Sequence, residues 1–107
     1  MNIVRPPGGF NVIVRPEVVQ YMLAESEHNF RITQYWKDIL DRLKMTALHE
    51  GHRLPSDGAP KFSFVANGAV DFQIPTIQLV YECFGDTLMV LNALVWTEED
   101  YEDSAYQ

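Results

Sequence analysis

The stretch from Lys61 to Trp96 leaves this chain little choice but to build a sheet. Phe62 and Phe64 alternate with their neighbours, and so do Ile77, Leu79, Tyr81 and Cys83. A period of two puts such residues on one face of a strand. Asn67-Gly68 is a strong hairpin signal, because both central residues of a type I′ turn need positive φ. A return strand through Val70, Phe72 and Ile74 is expected after it. Pro75 lacks an N–H and marks an edge, a bulge or a strand end. Gly85-Asp86 is the next turn, and Thr87–Trp96 is a longer strand, apolar on both faces except at Asn92. That pattern predicts a central strand with cover on each side.

Two helices precede this region. Phe10, Val12 and Val14 alternate in a first strand that runs into Pro16-Glu17. Proline suits the first helical turn, and an early Glu suits the positive end of the helix dipole. Val18, Val19, Met22 and Leu23 supply a helical apolar stripe, with an end expected between Ser26 and Asn29. Ile32, Trp36, Ile39, Leu43 and Ala47 form a second stripe, with Gly51 as its stop and Pro55 beyond. Trp36 is expected in the core, where truncation to Ala costs about 3–5 kcal/mol. Ser56–Pro60 reads as a loop. The order is β-α-α-β-β-β-β, an α+β fold with a helix pair on a mainly antiparallel sheet. Residues 1–9, with Pro6-Pro7-Gly8-Gly9, read as a flexible lead, 10–96 as the domain and 97–107 as an acidic tail.

Charge narrows the function classes. The 107 residues carry a formal charge of −7, and 47% of them are apolar, enough for a packed core. Five acids and no base lie in 97–107, which leaves the body with ten acids against eight Lys and Arg. Affinity for nucleic acid rests largely on Lys and Arg releasing phosphate counterions, so direct binding to RNA or DNA is not expected. The single Cys83 cannot form an internal disulfide and reads as a small buried hydrophobe. No run suits a signal peptide or a membrane span, so a cytoplasmic location is expected. No cofactor is expected either: Pro7-Gly8-Gly9 precedes a strand, not the helix N-terminus that cradles phosphate.

Two places hold chemically able side chains. His49-Glu50-Gly51-His52-Arg53, with Lys61 beyond the loop, offers acid–base and cationic groups. Its histidines stand three apart with Gly51 between them, not four apart on one helix face, so no metal site is expected. A solvated helix C-terminus, where His and Arg suit the dipole, accounts for the same residues. The second place is the tail: Glu98, Glu99, Asp100, Glu102 and Asp103, with Trp96 beside them, could steer a cationic protein partner.

The element order resembles that of the RelE/ParE superfamily of bacterial toxins. The resemblance spans about residues 10–96. It rests on Val14-Arg15-Pro16-Glu17 and on Ile77-Gln78-Leu79-Val80-Tyr81-Glu82, followed by Gly85-Asp86 and Thr87-Leu88-Met89-Val90-Leu91. It implies a type II toxin neutralised by a partner antitoxin, acting either as a metal-independent endoribonuclease on messenger RNA or, as ParE-like members do, on DNA gyrase. Relatives that cut RNA carry a Gly-Lys-Arg-type segment after the last long strand and a Tyr later. Thr97-Glu98-Glu99 and Tyr106 stand at the matching positions. Carboxylates there would repel the phosphate whose charge they should stabilise, which favours a ParE-like or inactive member. An acidic immunity protein, or another module that neutralises a cationic partner, is the alternative.

Overall fold

In a computed structural model, which describes residues 3–96, the chain folds as β1 (Asn11–Val14), α1 (Pro16–His28), α2 (Arg31–Glu50), β2 (His52–Leu54), β3 (Lys61–Ala66), β4 (Ile77–Phe84) and β5 (Thr87–Val95). The five strands form one mixed sheet in the order β1-β5-β4-β3-β2. β1 lies parallel to β5, and every other pair is antiparallel. No helix of the described residues is long and apolar enough to cross a membrane.

Local signals explain the helices. Pro16 opens α1 with Glu17 in its first turn. Val18 and Met22 are buried, but Val19 and Leu23 on the expected stripe are exposed, because α1 presents a narrower face to the core than its apolar content implies. In α2, Ile32, Ile39, Leu43 and Ala47 are buried. Trp36 is only half-buried, packed against the rim of the core, so its truncation should cost less than the about 3–5 kcal/mol of a buried Trp. α2 stops at Gly51, which turns the chain directly into β2. A side chain there would run into the Tyr81 hydroxyl and come within 2.7 Å of Phe62 Cβ.

The sheet departs from expectation in three places. The first is the Asn67-Gly68 segment. The chain makes no hairpin there; Val70–Phe72 is a turn of 3-10 helix, closed by a single bridge between Ala69 and Ile74. Gly68 is not at positive φ, and it is pressed against the backbone of Ile74 and Pro75. Gln73 takes the left-handed conformation instead, with φ 58°. Pro75 has no N–H for a ladder, so the true partner of β3 is β4. Second, His52–Leu54, expected at a helix terminus and beyond, forms the edge strand β2.

The third concerns β5. It sits inside the sheet, between β1 and β4, but among the described residues only one of its faces is covered. Tyr81 pairs with Val90 and Val80 with Asn92, so Leu91 is an extra residue in a β-bulge. The bulge moves the inward positions from Leu88 and Val90 to Ala93 and Val95. A strand that changes face midway reads as apolar on both faces, although neither half is covered twice.

One core joins the helices to the inward face of the sheet. Phe10, Met22, Leu43, Phe62, Tyr81 and Leu88 are among its buried members. Tyr81 stacks on Phe62, ring centroids 5.3 Å apart, and its hydroxyl donates to the Ala47 carbonyl at 2.6 Å. The lead also lies on α2: Gly9 abuts Lys44 and Met45, and Phe10 N–H donates to Lys44 O at 3.0 Å.

Candidate functional site

Among the described residues, the helices cover one face of the sheet and leave the other open. Side chains alternate across a strand. In β4, Ile77, Leu79, Tyr81 and Cys83 point to the core, so Gln78, Val80, Glu82 and Phe84 take the opposite face. Register carries this face across the sheet. Glu82 pairs with Met89 on one side and Lys61 on the other. Met89 pairs with Ile13, and Lys61 with Leu54. The next row runs Asn92, Val80, Ser63 and His52. Ile13, Val65, Phe84 and Leu94 are exposed there despite being apolar.

The candidate residues are divided by this geometry. His52 and Lys61 both stand on the open face, on paired strands and at diagonal positions of the ladder. Arg53, between His52 and Leu54, takes the other face, with its guanidinium 5.7 Å from the centroid of the Phe62 ring. That distance suits a cation–π contact with a core aromatic rather than a free phosphate-binding fork. His49 is exposed in the last turn of α2, where the dipole favours it. The expected five-residue cluster therefore does not converge. Trp96 ends the sheet, its N–H donating to the Thr76 carbonyl at 2.9 Å. Glu98, Glu99, Asp100, Glu102, Asp103 and Tyr106 lie outside the described residues.

Glu82 was absent from the candidates, and it places a carboxylate on this face. It stands directly opposite Lys61, where opposite charges attract across a ladder. The signal for it was the second parity of the same strand: with Tyr81 inward, Glu82 must point outward. Among the described residues, no group of His, Cys, Asp and Glu could hold a metal ion.

Two other polar sites are accounted for by the fold. Cys83 is fully buried, and burial pushes its thiol up to about 11, so it is protonated and inert at neutral pH. Burial also raises the Tyr81 phenol, whose proton is already committed to Ala47. On the solvent side of α2, Arg42 binds Glu50, and Thr46 also donates to that carboxylate. These hydrogen bonds lower the Glu50 carboxyl and raise the Arg42 guanidinium. Arg42, Tyr35 and Asp38 face Phe64 across a groove of about 340 Å³ between α2 and β3.

The site thus offers a broad, half-apolar sheet surface with Glu82 and Lys61 at opposed ladder positions and a histidine at its edge. No family model, curated protein or solved structure matches this chain, so its function is read from its own residues.

Proposed function

We propose that this chain is a RelE/ParE-like toxin-family domain that acts by protein contact rather than by cutting RNA. The element order supports the first half of this reading: a strand, two helices and a mainly antiparallel sheet. One observation carries the second half. Among the described strand residues of the open face, the cationic candidates are Lys61 and His52, and Lys61 already faces Glu82. Cleavage at phosphorus needs preorganised positive charge where the transition state develops negative charge. A carboxylate beside the ammonium works against that. Exposed Val65 and Leu94 suit the desolvated centre of a protein interface instead. The natural neutraliser is an antitoxin, and the target is a protein.

Expression in bacteria without a partner tests the reading. The expected result is growth arrest with messenger RNA intact. Normal growth with soluble, folded protein would overturn the toxin reading, and cleaved messenger RNA would overturn action by protein contact.

The tail favours one second reading, a module that neutralises a cationic partner. Its five carboxylates without a base would speed association with such a protein. A chain ending at Trp96 should then bind that partner more slowly, and the difference should fade as salt rises. An unchanged association rate removes this role.

A further inference from the structure

The sheet ends in two strands that treat their free edges differently. β2 is three residues long, contains Arg53 and is followed by Pro55. Short length, charge and proline are the usual means of blunting an edge against further pairing. β1 reads Asn-Val-Ile-Val, one residue longer, with no charge or proline within it, although Arg15 and Pro16 follow it.

The inward hydrogen bonds of β1 dictate its outward ones. Asn11 N–H donates to Asp86 O at 2.7 Å, and Arg15 N–H to Val90 O at 3.3 Å. Alternation along the strand then turns the N–H and C=O of Val12 and Val14 away from β5. Between them Ile13, on the open face, is 47% exposed. The edge therefore presents two donors, two acceptors and an apolar side chain at its centre.

We infer that a second copy of this chain completes this edge, β1 pairing antiparallel with the partner's β1 across a two-fold axis at Ile13. In this register Val12 faces the partner's Val14 and Val14 faces the partner's Val12. All four outward backbone groups of each strand are satisfied by one isologous contact. Ile13 packs on the partner's Ile13. Asn11 falls opposite the partner's Arg15, so the guanidinium meets a neutral amide and never its own like charge. Neighbouring registers are poorer. Centring on Val14 sets Val12 against Pro16, which has no N–H. Centring on Val12 sets Val14 against Phe10, whose N–H is already given to Lys44 O at 3.0 Å. The result is a continuous sheet twice as wide, with the open faces side by side.

Disulfide trapping in the full chain tests the seam. Directly opposed residues of a non-hydrogen-bonded pair have Cα atoms about 4.5 Å apart, within disulfide reach. Ile13→Cys should form a covalent dimer under mild oxidation. Val65→Cys, also exposed on the open face but outside the seam, should not. Native Cys83 is buried and should stay out of the reaction. Light scattering of the wild type should approach twice the 12.3 kDa chain mass as concentration rises. Ile13→Lys, which sets two ammonium groups face to face, should weaken self-association by about tenfold or more with its circular dichroism unchanged. A wild type that stays monomeric overturns the proposal. Equal cross-linking at both cysteines does so too, as does a folded Ile13→Lys chain that dimerises as before. Should Ile13→Lys fail to fold, the two cysteine variants and the wild-type mass decide the question.

Discussion

Tyr81 and Glu82 are adjacent in β4, yet they belong to different chemistries. Tyr81 is fully buried, stacked on Phe62 and bonded to the Ala47 carbonyl. Glu82 is only half-buried, set between Met89 and Lys61 on a face that no helix of the described residues reaches. β3 and β5 repeat the contrast. The covered face is held by close packing, where each atom has neighbours on all sides. The open face holds apolar residues, Ile13, Val65 and Leu94 among them, that packing within the described residues leaves partly in water.

A pair of leucines breaks the comparison most directly. Leu79 is 1% exposed and Leu94, on the neighbouring strand, is 45% exposed. Leu79→Ala should cost about 2–5 kcal/mol in a denaturant melt, and Leu94→Ala should stay within about 0.5 kcal/mol. Similar losses at both would mean that the second face is covered after all.

Gly51 sharpens the comparison at the helix–sheet junction. Gly51→Ala adds a methyl group where the Tyr81 hydroxyl and Phe62 already sit. Overpacking there should destabilise by about 1–3 kcal/mol. Its backbone is in the extended region, φ −75° and ψ 149°, so the loss would report crowding and not backbone strain.

Cys83 gives a smaller, chemical contrast. With its thiol raised to about 11 by burial, it should react with a disulfide reagent only at the rate of unfolding. The sign of its pH effect follows. The folded protein holds this proton longer than the unfolded chain, so the thiol costs nothing at neutral pH. Stability should fall as pH rises from the ordinary thiol range towards about 11. Cys83→Ala should remove that part of the alkaline loss, as seen by thermal melts across pH.

The weakest effect belongs to the solvent side of α2. Glu50 is lowered by its hydrogen bonds to Arg42 and then Thr46. Its contribution is present above the ordinary carboxylate range and lost as pH falls through the folded value. Arg42 is largely exposed, so the pair is screened. Glu50→Gln should lower the melting temperature slightly at low salt and not measurably at high salt.

Much of this fold was legible in local pattern. Pro16-Glu17, the α2 stripe and Gly51, and the alternation of β4 all lie where spacing and turn chemistry point. The site was less legible. His49, His52 and Arg53 are close in sequence, but a helix end followed by a two-sided strand sends them to different surfaces. Asn67-Gly68 misled for a related reason: Pro75 interrupts any return ladder, and the chain must reach Ile77 before it can pair.

By itself, the sequence determined the two helices, the alternation of β3 and β4 with the inward face of β4, and the acidity of 97–107, because propensity, parity and charge are properties of neighbouring residues. Tertiary structure alone decided where β1 joins the sheet, that Leu91 forms a bulge, and that Lys61 faces Glu82. Each is a register between distant segments. Register depends on the packing of the whole core, and no local run of residues encodes it.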